Sequence, residues 1–503
     1  MLWPQSILTF ASGNLRSCAA QSRIYDERIA YHQECIRGLN EERNKLMPIS
    51  RVPPEILANV FSFVVAGHTR TLEEDFPFPL YYFTHVSRSW RSVGLTTPQL
   101  WRVIMPVGGR FSIALLERSK AVDLVILLKG GRNLVHHSPA SMSLLKLVLT
   151  KHASRIRELV ININYSLAAL FGDLQHPLRL HSLQLGSYEQ FATFPTDVVE
   201  TDSLRILDVE YCDGPWFSMS LPALTTLRVH KIYNRPPLSG FLEMLRGLAA
   251  LQVLDMEDSL PFAIDPDRAT RLMDPIHLPS LQYLRLSRNI KEVSNILSRI
   301  TVPPTANLRF ALTNITNNID ALSTFSAFLS RMGPSLSYSI LHIRDDFFGC
   351  ITIQAWSDGT GSGSSVAPNL DVTAPRKVVL ENIFPSLLLF NITTLTLNTG
   401  RTGEFIKELS RNIDESSDYY SVPFPALEFL WIQEGDFSKK KSRIVEELQD
   451  CLMERYERKA ELLKLKFTHC HKLYHSHLEK LREIVVDVEA DSFLVSDSDS
   501  DSE

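Results

Sequence analysis

A recurring leucine pattern in the C-terminal two thirds of the chain constrains its fold more than any other feature. The spacing is leucine-x-x-leucine-x-leucine, with other apolar residues accepted at the three fixed positions. It begins at Ile156, Leu180, Leu204, Leu224, Leu251, Leu281, Ile392, Leu427 and Leu462. A strand that covers one such pattern is too short to be stable alone. When neighbouring strands stack, they bury their leucines, and each fully buried side chain contributes roughly 1.5–3 kcal/mol to stability. The pattern therefore predicts an array of stacked strands.

The steps between successive patterns indicate the type of array. The early steps are 24, 24, 20, 27 and 30 residues, and the last two are 35 each. These steps lie at or above the roughly 20–29 residues of a leucine-rich repeat. That repeat favours Asn or Cys at its ninth position, which here holds Asn164, Cys212, Asn289 and Cys470. We expect an irregular leucine-rich-repeat α/β solenoid over residues 120–480; accidental spacing in a leucine-rich sequence is the alternative.

The pattern fades between residues 287 and 391. Tyr338-Leu341-Ile343 is the best remaining candidate within this gap. The run Gly359-Thr-Gly-Ser-Gly is a flexible loop by composition. It has no lysine and no strand-to-helix context, so we do not expect it to bind phosphate.

A helix is predicted over residues 24–46, inside a lead-in segment of residues 22–47. Apolar or semi-apolar side chains recur there at alternating spacings of four and three: Tyr25, Ile29, His32, Ile36, Leu39 and Leu46. Such spacing suits either a helix that packs on the rest of the chain or a dimeric coiled coil. Gly38 and Arg43 interrupt it, and short helices are marginal alone, so a packing helix is favoured. Residues 1–21 are expected to be disordered.

The sequence of residues 48–105 predicts a small helical module. Pro53 and Pro54 suit the first turn of a helix, where a missing N–H costs nothing, and Glu55 favours its positive end. The residues that follow form one broad apolar face: Ile56, Leu57, Val60, Phe61 and Val64. After a polar insertion at 67–80, a second helix is predicted over Tyr82–Val93. A third short piece holds Leu100 and Trp101.

This module resembles the F-box, in the degenerate form that is abundant in mushroom-forming fungi. Three blocks carry the resemblance: Ile49-x-Arg-Val-Pro-Pro-Glu-Ile-Leu-x-x-Val-Phe, then Val86-Ser-Arg-Ser-Trp-Arg, then Thr97-Pro-x-Leu-Trp. Arg43-x-x-Leu46 also resembles the lead-in helix of those proteins, and irregular leucine repeats fit the same family. Val52 replaces the usual leucine, and the insertion lengthens the first interhelix loop at modest entropic cost.

The resemblance implies an α+β fold in which a three-helix F-box module precedes a repeat solenoid. It also implies a substrate-recognition subunit of an SCF-type ubiquitin ligase, which is built from a Skp-type adaptor, a cullin and a RING protein. The module would bind the adaptor while the repeats hold a protein substrate. Matching positions nominate the adaptor-binding residues as Pro53, Glu55, Ile56, Leu57, Phe61, Val86, Trp90 and Trp101. The alternative is a non-catalytic interaction scaffold that does not engage the ligase.

A second interpretation assigns some of these side chains to the core of the module. Tryptophan loses most by exposure, so Trp90 and Trp101 are expected to hold the module together. So small a module cannot hide every large side chain, however, and exposed apolar patches usually mark interaction surfaces. We therefore expect both roles to be represented among the nominated residues.

Composition and missing motifs narrow the remaining functions. A net charge of −5 argues against nucleic acid as a partner, and no apolar run is long enough to span a membrane. The dispersed cysteines favour reduced thiols and a cytoplasmic or nuclear protein. No catalytic motif is present, so we expect no enzyme activity and no cofactor.

Three polar clusters are interpreted as structural or solvent-exposed segments rather than as binding sites. The run His469-Cys-His-Lys-Leu-Tyr-His-Ser-His has metal-ligand residue types, but we assign it to the edge of the last repeat rather than to a metal site. The lysine run 439–441 is assigned to a loop. Residues 487–503 form an acidic tail that we expect to be disordered, with Ser496, Ser498 and Ser500 as candidate sites for an acid-directed kinase.

Overall fold

The chain divides into two units, Met1–Ile156 and Arg157–Glu503. The structure is a computed structural model, and it describes residues 5–70, 79–106, 109–129, 138–187, 192–262, 274–313, 318–332, 338–346, 349–357, 366–383, 391–410, 423–438 and 443–491. The division falls later in the chain than the predicted start of the repeats at residue 120. Residues 120–156 therefore belong to the first unit.

The first unit begins with a helix that is longer than predicted. Helix α1 spans Gln5–Lys45, so residues 5–21, which we expected to be disordered, are helical, and residues 1–4 lie outside the described part. Alanine, leucine, glutamine and arginine, which favour helix, recur between residues 5 and 21. A short 3₁₀ turn at Pro48–Arg51 follows, in keeping with a helix that ends before a proline.

The apolar stripe of α1 is not packed on the chain. Ile29, Ile36 and Leu39 are 54%, 58% and 72% exposed. The favoured prediction of a helix that packs through this stripe therefore differs from the structure. A 41-residue helix that keeps its stripe in water instead resembles the other alternative, one strand of a coiled coil.

The helical module contains three α-helices and a final 3₁₀ turn. Helix α2 spans Pro54–Arg70, α3 spans Pro79–Val86, α4 spans Arg88–Thr96, and the turn spans Pro98–Trp101. The single helix predicted over Tyr82–Val93 is thus two helices. Ser87 separates them, because its backbone is extended and its side chain caps α4 by accepting a hydrogen bond from the Trp90 N–H at 3.2 Å. Residues 71–78 of the predicted insertion lie outside the described part.

Two parallel strands and two helices complete the first unit. Strand β1 (Val103–Ile104) pairs with β2 (Leu124–Lys129), and α5 (Gly109–Ser119) connects them. Helix α6 (Pro139–Lys151) follows β2, with Ser138 as its N-cap.

The second unit is mixed α/β and is dominated by one large sheet. Its strands lie in the order β3-β4-β5-β6-β7-β9-β11-β14-β13-β12-β15-β16-β17-β18. The strands, including a separate pair made by β8 and β10, are β3 (Ile156–Ile163), β4 (Ser182–Ser187), β5 (Ile206–Glu210), β6 (Thr226–His230), β7 (Val253–Glu257), β8 (Ile276–His277), β9 (Tyr283–Asn289), β10 (Ile300–Thr301), β11 (Asn307–Thr313), β12 (Ile340–Asp345), β13 (Cys350–Trp356), β14 (Leu370–Pro375), β15 (Thr394–Asn398), β16 (Phe429–Gln433), β17 (Lys464–Thr468) and β18 (Asp487–Ala490).

Helices occupy several of the connections between these strands. They are α7 (Leu167–Phe171), α8 (Leu238–Arg246), α9 (Ile290–Leu297), α10 (Ile319–Met332), α11 (Arg376–Val378) with a π-helical extension (Val379–Ile383), α12 (Thr402–Leu409), α13 (Arg443–Glu457) and α14 (His475–Arg482). Their apolar faces are buried; Phe241 of α8 and Phe325 of α10, for example, are 0% exposed. The helices therefore supply apolar side chains to the core of this unit.

The leucines of the predicted pattern align across neighbouring strands. Leu183, Leu207, Leu227, Leu254 and Leu284 are register partners in successive parallel pairs from β4 to β9. The residue that begins each of the nine patterns is at most 5% exposed. The prediction that the pattern marks buried residues is confirmed, and the second and third residues of each pattern lie in strands of one large sheet.

The gap in the pattern between residues 287 and 391 also holds strands. The predicted Tyr338-Leu341-Ile343 segment lies at β12, and all three side chains are buried. Strand β13 runs antiparallel to both of its neighbours, β12 and β14, whereas the other pairings of the sheet are parallel within the described residues. The sequence did not predict this reversed strand. The glycine-rich run at 359–363 lies outside the described residues.

A left-handed residue follows five of the parallel strands at one shared position. Tyr211, Lys231, Asp258, Glu434 and His469 each stand seven residues after the start of their leucine pattern and have φ between 51° and 55°. The N–H of four of them donates to the backbone of the next strand, as in the 3.1 Å bond from Tyr211 to the His230 carbonyl. The unit therefore repeats a turn geometry as well as a leucine spacing.

The last strand begins inside the segment that we expected to be a disordered tail. Strand β18 (Asp487–Ala490) pairs in parallel with β17, and Val488 is 8% exposed. Lys464 contacts Asp487 at 3.1 Å, so opposite charge offsets the acidity of the new edge strand. The rest of the predicted tail, including Ser496, Ser498 and Ser500, lies outside the described residues.

Candidate docking faces

Helix α2 buries one side of its apolar surface in the helical module. Leu57, Phe61 and Val65 recur at four-residue spacing and are 4%, 1% and 5% exposed. Phe61 stacks on Phe83 of α3 and lies 5.0 Å from the half-buried Trp90 of α4, measured between ring centroids. These side chains form the core in which the three helices meet.

Trp101 closes that core from the 3₁₀ turn. It is 3% exposed, and its indole N–H donates to the Gly94 carbonyl at 2.7 Å. The Arg118 guanidinium lies 4.5 Å from the centroid of the same ring, at cation–π distance. Trp101 therefore ties α4 and α5 together inside the first unit.

A second apolar stripe of α2 faces water. Ile56, Val60, Phe63 and Val64 are 52%, 49%, 79% and 44% exposed and follow one another at helical spacing. We call these four residues the open stripe of α2. Helical geometry separates this stripe from the buried stripe by about a third of a turn. Helix α2 thus has two apolar stripes, of which one is buried in the module and the other is exposed. The exposed stripe is a surface that a partner can cover.

The structure divides the eight nominated adaptor-binding residues into three groups. Pro53, Glu55, Ile56 and Val86 are exposed, Trp90 is half-buried, and Leu57, Phe61 and Trp101 are buried. The three buried residues belong to the core of the module. In this structure they position the exposed residues and are not accessible to a partner.

The nomination by sequence missed the residue that stands out most in the open stripe. Phe63 is more exposed than Ile56, and it stands seven residues after Ile56 on the same face of α2. That spacing was visible in the sequence and could have grouped Phe63 with Ile56, although it does not show which stripe of α2 is exposed. Tyr82 and Val86 of α3, at 56% and 55% exposure, present a further four-residue pair.

The sheet of the second unit has a polar row between its buried leucines. Asp208, Arg228, Asp255 and Arg285 are register partners on β5, β6, β7 and β9, so the sign of the charge alternates from strand to strand. We call these four residues the polar row. They occupy the positions between the buried leucines and alternate with them along each strand. Single charges between leucines look ordinary until strand register aligns them, so the row was not predicted from the sequence.

Ion pairs connect the polar row to its neighbours. His230 Nε2 lies 3.2 Å from Asp255 Oδ1, and Arg285 reaches both Asp255 at 3.5 Å and Glu257 at 2.8 Å. Burial acts to lower the pKa of His230, but the Asp255 carboxylate and more distant acids outweigh it and raise that pKa. Burial raises the pKa of Asp208, and the positive charges of His230 and Arg228 offset this effect only in part. The row is thus a partly dehydrated, charge-paired surface.

The cysteines in this unit are held as thiols. Burial raises the pKa of Cys212 to about 12 and that of Cys470 to about 11. Cys470 lies 6% exposed at the predicted ninth position, and its thiol faces the Ile432 carbonyl at 3.6 Å. A thiol with so high a pKa is a poor nucleophile and a poor metal ligand at neutral pH.

The histidines near Cys470 are distributed over separate elements. His469 follows β17 in the left-handed turn, and His475 opens α14. Within the described residues, no three His, Cys, Asp or Glu side chains are grouped so that they could hold a metal ion. In the same ranges, no helix is both long enough and apolar enough to cross a membrane.

The chain matches no protein-family model and none of the curated proteins compared with it.

Proposed function

We propose that the chain is the substrate-recognition subunit of an SCF-type ubiquitin ligase. The helical module, which resembles the F-box, binds a Skp-type adaptor and through it a cullin. The second unit, as a leucine-rich-repeat solenoid, binds the protein substrate. The open stripe of α2 is the observation that carries the proposal, because it is an apolar surface on the very helix that the resemblance assigns to docking.

The exposure of the open stripe supports docking at this place. Burial of a Phe, Ile or Val side chain contributes roughly 1.5–3 kcal/mol, and Phe63 is 79% exposed in the free chain. Glu55 stands exposed at the start of the same helix, where it would belong to the polar rim of an interface, and Pro53 stands exposed immediately before that helix. A central apolar cluster with a polar rim is the usual anatomy of a protein–protein interface.

The regularity of the second unit supports the repeat solenoid. Stacked parallel strands, aligned leucines and a shared left-handed turn are what a repeat array with a single nearest-neighbour geometry would produce. The polar row offers charged groups to a bound chain without exposing the leucine core. The proposal gives the protein no chemical step of its own, and it implies a cytoplasmic or nuclear location.

Co-purification with a Skp-type adaptor tests the proposal. The full chain and the adaptor are co-expressed, and complex formation is measured by size-exclusion chromatography and calorimetry. The variant Ile56→Glu with Phe63→Glu places charges on the open stripe, and we expect it to weaken binding by about a hundredfold or more, since anchor residues typically carry about 2 kcal/mol or more each. Leu57 and Phe61 are unsuitable for this purpose because they are core residues.

A matched control distinguishes docking through the open stripe from non-specific binding by exposed apolar side chains. Ile113 on α5 is 49% exposed, close to the 52% of Ile56, and lies outside the open stripe. Ile113→Glu should bind the adaptor as the unmodified chain does. The proposal is wrong if the open-stripe variant binds normally. If the unmodified chain does not bind the adaptor, the alternative holds, and the chain is an interaction scaffold that does not engage the ligase.

A further inference from the structure

Helix α1 has an exposed seam that is not packed against any other element of the described part of the chain. We define the seam as Tyr25, Ile29, His32, Ile36, Leu39 and Arg43, which alternate at spacings of four and three. All six are exposed. Three aliphatic side chains at the centre of the seam, Ile29, Ile36 and Leu39, are each more than half exposed. A seam with this period is the contact surface of a two-stranded coiled coil.

The chain holds α1 by the opposite side. Arg88 of α4 contacts Glu34 at 3.3 Å and Glu41 at 3.1 Å. Seven residues separate these two acids, and both stand on the face of α1 that points away from the seam. The hydrogen bond from Arg88 lowers the pKa of Glu34, with Arg37 adding to the effect. The helical module therefore anchors the polar side of α1 and leaves the seam directed outward.

We propose that the seam packs against the seam of a second copy of this chain as an antiparallel coiled coil. The two-fold axis passes close to Cys35. Each of the two helices is 41 residues long, about 60 Å, so a partner can run alongside it over the whole seam.

The residues of the seam fit an antiparallel register. With the axis near Cys35, Ile29 meets Leu39 of the second copy, Ile36 meets His32, and Arg43 meets Tyr25. The last pair can form a cation–π contact. A parallel register would instead place Arg43 against Arg43 and His32 against His32. The polar residues of the seam therefore favour the antiparallel orientation, because they repel one another in the parallel register and pair with other residues in the antiparallel one.

The charges beside the seam fit the same register. Arg28 and Glu42 flank the seam on one side, 14 residues apart and symmetric about Cys35. The antiparallel arrangement brings Arg28 of each copy next to Glu42 of the other, so the pair occurs twice. In a parallel arrangement Arg28 would face Gln33, which carries no charge. In the free chain Glu42 pairs with Lys45, an exposed contact that water screens and that can open at little cost.

This inference goes beyond the proposed function and does not depend on it. A dimer formed through α1 would carry two helical modules and two repeat units. The open stripe of α2 takes no part in it, so the two surfaces can be tested separately.

Charge reversal in the full chain tests the pairing. Association is measured by analytical ultracentrifugation over a range of concentrations. We expect Arg28→Glu and Glu42→Arg each to weaken the dimer on the order of tenfold or more, because each turns two attractive contacts into repulsive ones. The variant with both changes should recover the original association, and an equimolar mixture of the two single variants should form a heterodimer. Glu27→Lys, on the polar side of α1, is the matched control and should associate as the original chain does.

Cys35 reports the orientation. In the antiparallel register the two Cys35 side chains face each other across the axis, whereas in a parallel register they lie on opposite sides of the coiled coil. A short bifunctional thiol reagent should therefore link two Cys35 residues in a Cys18→Ser background, and Cys35→Ser should abolish the link. A chain that stays monomeric at every concentration overturns the proposal. A dimer that the double charge reversal fails to restore, or whose Cys35 residues do not link, overturns the antiparallel register.

Discussion

Phe61 stacks on Phe83 with 4.4 Å between ring centroids and 7° between ring planes. This contact joins α2 to α3 and fixes which side of α2 is turned inward. Two residues later, Phe63 is 79% exposed. The same helix therefore carries one phenylalanine that holds the module together and one that is available to a partner. The distinction gives the first prediction.

Phe61→Ala should destabilise the chain by about 3–5 kcal/mol, the usual cost of removing a buried aromatic ring. Phe63→Ala should change stability by only about 0.5 kcal/mol, because its ring makes little contact with the folded chain. Urea unfolding followed by tryptophan fluorescence measures both, since Trp90 lies 5.0 Å from the ring of Phe61. Equal losses for the two variants would contradict the assignment of the two faces.

Trp101→Phe should cost about 1–3 kcal/mol, because it leaves the Gly94 carbonyl without its buried indole donor. Arg118→Ala alone removes the cation–π contact and should cost about 0.5–2 kcal/mol. The two residues touch, so combined they should cost less than the sum of the single changes. Phenylalanine keeps an aromatic ring beneath the guanidinium, so thermal unfolding of the four proteins in this cycle measures how much the indole adds to the contact. Strict additivity would show that the indole holds Arg118 no better than a phenyl ring does.

Glu434→Gly should stabilise the chain by up to about 1 kcal/mol, because glycine adopts the left-handed conformation without the strain of a β-carbon. Glu434 has φ 55° and is exposed, so little side-chain packing is lost. Glu428→Gly is the control: it is an exposed glutamate of the same region without positive φ, and it should lose about 0.5–1 kcal/mol from backbone entropy. Denaturant midpoints compare the two. A loss of stability in Glu434→Gly would show that the strain at this turn is negligible.

These turns show where sequence reasoning succeeds in this protein and where it stops. The leucine spacing predicted the places of nine strands because burial every second residue leaves a direct trace in the sequence. Tyr211 and Lys231, by contrast, are residue types that do not signal a left-handed backbone. The strained turn comes from stacking each strand on the next, and stacking is a property of the whole array.

The helical module shows the same limit at the candidate site. Nearly every residue from Ile56 to Val65 is apolar or small, so helical periodicity alone could not divide the buried stripe from the open one. The position of Phe83 on a separate helix decides that Phe61 faces inward. The reversed strand β13 escaped prediction for a similar reason, because its direction depends on partners that are distant in the sequence.

His230→Gln should destabilise the chain by about 1–3 kcal/mol at pH about 6, since the buried Asp255 carboxylate loses one of its positively charged partners. The raised pKa of His230 in the folded chain means that its pairing with Asp255 contributes fully below the ordinary histidine pKa. That contribution is lost as pH rises through the pKa of the folded state. The stability difference between the variant and the original chain should therefore shrink toward alkaline pH. A difference that does not change with pH would show that His230 is not charged in this pair.

Asp208→Asn should stabilise the chain near neutral pH, in contrast to most changes at partly buried charges. Burial disfavours the ionised carboxylate and raises its pKa, and His230 and Arg228 compensate only partly. A carboxyl with a raised pKa in the folded state costs nothing below its unfolded pKa, and its cost grows as pH rises through the pKa of the folded state. Asparagine is close in shape and carries no charge, so the gain should be present at neutral pH and absent at pH about 3. Urea unfolding at both pH values measures it. If Asp208→Asn is less stable at neutral pH, attraction from His230 and Arg228 outweighs burial, and the polar row favours folding as well as offering charges to a bound chain.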